Sequence, residues 1–215
     1  MKDIMGLVRS RYTCKDYDPK KKIPKETIKK IEEILVNIPS SSNTQTNRFL
    51  IIGAADLKEK VASFCWEANY KRVVQASHLV VFCGMNAYSE AHFSQVYHQE
   101  KTDGRFNNTK QEEDYFKIRR TELYLSLPYD QQLALIDAQV NIALGFFLLA
   151  VEGLGVNATP IGGFVRGQVD QFFNLFEKGW HSVYLVALGY SGKNDFNAAL
   201  TKSRLRTKDI IQILD

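Results

Sequence analysis

Cysteine is scarce in this chain of 215 residues, and its three copies, Cys14, Cys65 and Cys83, are odd in number and far apart. That pattern excludes a disulfide framework and, with no C-x-x-C, a thiolate zinc site; it fits a reducing compartment. A dominant charge is missing too. The 28 Lys and Arg against 24 Asp and Glu leave a net charge of +4, too mild for a nucleic-acid surface but compatible with a small anionic ligand. The longest apolar run, Ile142 to Val151, is bounded by Asn141 and Glu152 and falls well short of the roughly 20 residues of a membrane span. The first residues lack the apolar stretch and small-residue cleavage site of a secretory signal. Together these absences predict a cytoplasmic protein that engages neither membrane nor nucleic acid. The four histidines, His78, His92, His98 and His181, form no H-E-x-x-H, so no metal site is expected. No G-x-S-x-G nucleophile elbow occurs. With no visible side-chain machinery for acid–base or covalent chemistry, any hard chemistry falls to a cofactor.

Helical and strand patterns interleave along the chain. Ile4, Leu7, Val8 and Arg11 predict an amphipathic helix ending before Asp16 to Pro19. Pro24 opens a second, with Ile28, Ile31, Ile34 and Leu35 on one face. Phe49 to Ile52 and Leu79 to Cys83 read as buried strands, each followed by glycine, with a helix over Leu57 to Trp66 between them. Residues 87–127 are polar and aromatic and read as a two-helix lid. Pro128 starts a long helix over Tyr129 to Glu152 whose middle is apolar nearly all round. Such a helix must be covered on every side, either at the centre of the domain or against a second subunit. Val183 to Leu188 is a third strand, and the arm Leu205 to Leu214 has room for another. With no Pro/Gly/Ser linker, the expectation is one α+β domain over residues 1–215.

Gly153-Leu154-Gly155-Val156-Asn157-Ala158 has the G-x-G-x-x-A spacing of a dinucleotide turn. That fingerprint follows a strand and opens a helix, whereas here a helix precedes it, so the glycines are read as its C-cap. His78, at the entry to a strand, is read as structural. Four other segments share a logic. Arg11-Tyr12-Thr13-Cys14-Lys15 sets two cations around a hydroxyl, and Ser40 to Gln45 is dense in small hydrogen-bonding side chains. Pro160-Ile161-Gly162-Gly163 exposes backbone, and Lys202-Ser203-Arg204 clusters charge. Each alone is ordinary surface; together they could hold a phosphorylated aromatic ring, with Arg and Lys on the phosphate.

The segments R-Y-T-C-K at 11–15, P-S-S-S-N-T-Q at 39–45, A-S-H-L-V-V-F-C at 76–83, D-G-R-F at 103–106, P-I-G-G-F at 160–164 and D-F-N-A-A-L-T-K-S-R-L at 195–205 occur in one order and cover the chain apart from the lid. In this set the sequence resembles the FMN-dependent nitroreductase family, in its enterobacterial, oxygen-insensitive NAD(P)H branch, also described as dihydropteridine reductases. The resemblance implies a central, mostly antiparallel sheet flanked by helices, in an intertwined homodimer with two flavins at the interface.

Residue by residue, the resemblance implies that Arg11, Thr13, Lys202 and Arg204 bind the FMN phosphate and ribityl chain, with Tyr12 in the same segment. Lys15 and Arg72 would flank the N1–C2=O edge and tune the flavin, and Asn69 would meet its pyrimidine edge. Pro39, Ser40, Ser41 and Asn43 match a loop that reaches over the other subunit's flavin, and Pro160, Ile161, Gly162 and Gly163 match the turn facing N5. Four positions depart from the family's habits. A histidine is replaced by Tyr12, a lysine by Arg72, a Pro-Trp pair by Thr46-Asn47, and an acidic residue by Gly162. The lid, 107–127, aligns poorly.

The implied activity is ping-pong, two-electron transfer from the co-substrate NAD(P)H through bound FMN to nitroaromatics, quinones or flavins. A flavin-binding or flavin-consuming protein of the same fold without nitroreductase activity is the alternative. A basic interaction protein with an unused pocket is a third possibility.

Overall fold

The apolar runs become strands covered on both faces. The computed structural model describes residues 3–106, 108–114 and 122–214. Strands β1 (Asn47–Ile52), β2 (His78–Met85), β3 (Asn157–Ile161) and β4 (Trp180–Gly189) form an antiparallel sheet in the order β1-β2-β4-β3. Side chains alternate between faces with period two. Leu79, Val81 and Cys83 of β2 join Leu185 and Ala187 of β4 in one apolar cluster, while Val80 and Phe82 join Val186 and Leu188 in the other. Two-sided burial is why these strands read as unbroken hydrophobic runs rather than as alternating ones. The fold is α+β, as expected.

One face carries α3 (Ala55–Ala62), α4 (Glu67–Gln75) and α8 (Arg166–Phe173) through Val61, Val73 and Val169. The other carries α2 (Lys25–Val36) and α7 (Tyr129–Gly153) through Ile31, Leu35, Val140, Phe147 and Val151. Phe147 packs edge-on against Phe82 at 5.2 Å. The short α1 (Ile4–Ser10) begins at Asp3, which accepts from the Gly6 N–H at 2.6 Å, and lies on α7.

Three expectations change. The helix expected over Leu57 to Trp66 ends at Ala62 as α3, and a further helix, α4, starts only after Trp66. Cys65 forms an isolated bridge with Phe164, and Trp66 N–H donates to Gly163 O at 3.0 Å. Backbone pairing with a distant turn therefore pulls 63–66 out of the helix. Pro160 and Ile161 are not part of a turn but end the edge strand β3, where a proline costs no ladder bond. The C-terminal arm holds α9 (Thr207–Ile210) and no strand; Leu205, Ile210, Ile211, Ile213 and Leu214 are exposed.

The capping glycines behave as expected. Gly155 is left-handed (φ 71°), and the N–H groups of Gly155 and Val156 donate to Glu152 O (2.9 Å) and Val151 O (3.1 Å). This is the paired closure that ends a helix after a glycine. The segment expected to form a lid contains α5 (Glu90–Thr102) and α6 (Thr109–Glu113), followed by a wide helical turn at 122–125; its residues 107 and 115–121 lie outside the described ones. By length and composition α7 could cross a bilayer, which the shorter run Ile142 to Val151 did not suggest. Its Ile136, Val140, Ala143, Phe147 and Val151 instead face the core. Leu135, Ile142 and Phe146, on its other side, are 38%, 48% and 43% exposed.

Candidate functional site

Leaving α1, the chain runs from Arg11 to Lys15 beside the start of β3, where Thr13 bridges Ala158. Four residue steps reach at most about 14 Å. Asp195 holds this stretch from below: it accepts from Lys15 N–H (3.0 Å), the Tyr12 hydroxyl (3.0 Å) and the Ser191 hydroxyl (3.0 Å). Burial raises its carboxyl, but hydrogen bonds from Lys15, Cys14, Ser191 and Tyr12 outweigh that and hold it below the ordinary value. Burial, with the Asp195 carboxylate, pushes the Tyr12 phenol up to about 12. Asn197 completes the support by donating to Thr13 O at 2.7 Å.

Above it opens a cleft of about 510 Å³ whose walls include Arg11, Tyr12, Thr13, Asn197, Lys202 and Arg204. The Lys202 ammonium donates to Val8 O (3.1 Å) and Arg11 O, closing the C-terminal end of α1 where cations are favoured. Partial burial and the neighbouring Arg11 and Arg204 lower its pKa. The first turn of the chain and the last arm, far apart in sequence, thus meet as a cationic cleft.

Burial and then the Arg72 charge lower the Lys15 pKa. Arg72 donates to Asn69 Oδ1 at 2.6 Å, and Asn69 donates to Gly163 O at 3.1 Å. Helix α4 supplies both residues, and the buried Lys58 fixes its end by donating to Val74 O (3.2 Å) and Ala76 O. A Cβ on Gly163 would lie 2.8 Å from Trp66 Cε3 and 2.9 Å from Asn69 Nδ2, whereas one on Gly162 would meet only Tyr184 at 3.6 Å. Gly163→Ala should therefore lower stability by about 1–3 kcal/mol in urea titration, and Gly162→Ala by under about 0.5 kcal/mol. Equal losses would mean that the close approach at Gly163 is not what the glycine serves.

The structure brings Arg11, Tyr12, Thr13, Lys202 and Arg204 together in one cleft and links Arg72, Asn69 and Gly163 by hydrogen bonds, with Lys15 in the segment that Asp195 holds and Pro160 and Ile161 leading to the 162–163 turn. It does not bring Pro39, Ser40, Ser41 and Asn43 there. Their loop precedes β1 at one edge of the sheet and the 162–163 turn follows β3 at the other, three strand spacings or about 14 Å apart.

Sequence reading missed Asp195 and Trp66. Asp195 was signalled only as the lone acid in a basic segment, and Trp66 only by its place before α4. Nor did it assign the groups that hold the 40–45 loop, which include Gln139, Glu100 and Tyr124. His78 is structural as expected. Its Nδ1 lies 2.9 Å from Ser77 Oγ, its ring abuts Gly53, and burial, then Lys58 and Lys22, lower its pKa. The three cysteines are free, with Cys14 and Cys83 buried. Among the described residues no cluster of His, Cys, Asp or Glu could hold a metal.

The nitroreductase family model matches residues 8–190. Among curated proteins, the oxygen-insensitive NAD(P)H nitroreductase of Salmonella typhimurium is 37% identical over 94% of this chain and 95% of its own. Its namesake in Enterobacter cloacae is 35% identical over 97% and 98%. In fold, the chain superposes with a TM-score of 0.84 and 22% identity on the crystal structure of an Exiguobacterium sibiricum protein in complex with FMN, covering 100% of this chain and 98% of that one. With match, length and fold in agreement, the chain belongs to the nitroreductase family.

Proposed function

We propose that this protein is an FMN-dependent NAD(P)H oxidoreductase that reduces nitroaromatics, quinones or flavins by two electrons. The observation that carries the reading is the cationic cleft walled by Arg11, Lys202 and Arg204; beside it we read Lys15, Arg72, Asn69 and Gly163 as one row. The donor set fits FMN: Arg11, Lys202 and Arg204 suit a phosphate dianion, Thr13 and Asn197 a ribityl chain, and the row a planar heterocycle with an electron-rich edge. Bound there, FMN supplies a two-electron carrier that takes hydride from NAD(P)H and passes electrons to an acceptor.

The chain's own part is position and charge. Asp195 fixes the 12–15 backbone, and we read the half-buried Lys15 as reaching the same flavin edge as Arg72. Their charges favour added electron density on a ring beside them. Lys15→Ala removes one charge; after the cost of desolvating it, that is worth about 1–2 kcal/mol. The two-electron midpoint potential should fall by roughly 20–45 mV with FMN still bound. A potentiometric titration identical to wild type would overturn this placement of Lys15.

We further read the chain as one domain with a lid at about 87–127, working as a homodimer in the cytoplasm with no membrane or nucleic-acid partner. Three observations support the dimer. The outer face of α7 is apolar and exposed, the C-terminal arm presents five exposed apolar side chains, and the 39–45 loop sits across the sheet from the row it would have to cover. Sedimentation at micromolar concentration should give an FMN-loaded dimer; a folded, FMN-loaded monomer would sink the idea. The cytoplasmic setting is supported by three unpaired cysteines.

The activity is tested by one anaerobic spectrum. The purified protein should be yellow, bleach with NADPH or NADH, and recover its colour with a nitroaromatic or quinone. A yellow protein that neither bleaches nor recovers would be the flavin-binding alternative, and a colourless one that takes up no FMN would defeat both.

A further inference from the structure

The Ser40–Gln45 loop is shaped as its own sequence would not shape it. Ser42, Asn43 and Gln45 all adopt left-handed backbone (φ 48°, 51° and 51°), which is unfavourable for residues bearing a Cβ and persists where surroundings impose it. The surroundings are specific. Gln139 of α7, itself buried, accepts from Ser41 N–H at 2.7 Å, and the Tyr124 hydroxyl lies 3.1 Å from Ser41 Oγ and 3.2 Å from Ser42 Oγ.

Two ties come from α5. The buried Glu100 carboxylate accepts from Asn43 Nδ2 at 2.7 Å, and His92 Nε2 lies 2.7 Å from Thr44 O; a carbonyl can only accept, so the ring nitrogen donates. Residues 92, 96 and 100 share one helical face, and Val96 between the two polar groups is buried. The helix thus presents a polar–apolar–polar stripe about 12 Å long. Glu100 also holds Arg105 Nε at 3.4 Å, just past the helix end.

We propose that Glu100 and His92 are positioning residues that clamp the 40–45 loop to lid helix α5, so that the loop's reach over the cofactor is set by the lid and not by the loop. The inference rests on the function proposed above, in which this loop covers a flavin. Lid and loop then move as one body, and the same two ties govern cofactor retention and acceptor access.

The test uses the FMN-loaded enzyme. Losing a hydrogen bond to a charged group should correspond to about a tenfold effect. Glu100→Ala should release FMN about tenfold faster and raise acceptor KM by a similar factor, with kcat changed by less than about threefold. Glu100→Gln keeps an Oε1 acceptor for Asn43 and should recover most of both losses. His92→Ala and His92→Gln repeat the contrast, since the glutamine amide can donate where Nε2 did; they also keep the test alive if Glu100→Ala does not fold. Wild-type FMN release and KM in the alanine variants, with only a lowered Tm, would make the ties merely structural and overturn the proposal. Glutamine variants as defective as alanine would overturn it as well, by removing the hydrogen bond as the cause. A wild-type protein that takes up no FMN takes the parent reading down first, a failure visible in its spectrum before any variant is made.

Discussion

Arg204→Ala and Lys202→Ala each weaken FMN about ten- to a hundredfold while changing riboflavin affinity by less than about threefold, as read by flavin fluorescence titration. The size follows from losing one charge-assisted hydrogen bond to a phosphate, about 1.5–3 kcal/mol, and the selectivity from riboflavin's having no phosphate to lose. The two variants separate in a second measurement. Arg204 is exposed and donates to the neighbouring Ser203 O at 2.6 Å, whereas Lys202 closes α1 through Val8 O and Arg11 O. Lys202→Ala should therefore lower the stability of the FMN-free protein by about 0.5–1 kcal/mol, and Arg204→Ala should not. Desolvation, then the charges of Arg11 and Arg204, lowers the Lys202 pKa; removing Arg204 should therefore raise that pKa part of the way in the FMN-free protein. Equal losses for FMN and riboflavin would place both residues away from the phosphate.

Asp195→Ala has the largest expected effect on folding. It leaves Lys15 N–H and the Tyr12 and Ser191 hydroxyls without their acceptor, at a combined cost of about 2–4 kcal/mol with water replacing part of each bond. For a chain of this length that is roughly 5–15 °C in Tm. Asp195→Asn keeps an acceptor oxygen and should recover about half. The pH dependence follows from the sign of the shift. The folded carboxyl titrates below its unfolded value, so its contribution is complete above the ordinary aspartate value near 3.8 and is lost as pH falls through the lower, folded one. The stability gap between wild type and Asp195→Ala should be constant at neutral pH and narrow only below about pH 4. A gap that stays constant down to pH 2, or Tm values that coincide at neutral pH, would show that Asp195 does not organise the 12–15 segment.

What the sequence determined alone is what local physics writes into it. The 3.6-residue pattern after Pro24, the apolar runs at 49–52, 79–83 and 183–188, and Gly155 after a long helix each report a neighbour within a few residues or a buried face. All reappear in place as α2, β1, β2, β4 and the closure of α7. The cationic and glycine-bearing segments were legible only as residue types suited to a phosphate and a ring. Tertiary structure decided what depends on distant partners. The break between α3 and α4 exists because Cys65 and Trp66 pair with Phe164 and Gly163. Tolerance of Pro160 in a strand depends on β3 lying at the sheet edge. The roles of Asp195 and Glu100 are set by backbone and side-chain donors that folding brings to them from as far as 183 residues away. Periodicity registers burial, which each residue carries in its own side chain. The partner of a hydrogen bond is chosen by the path of the whole chain, and no window of sequence contains it.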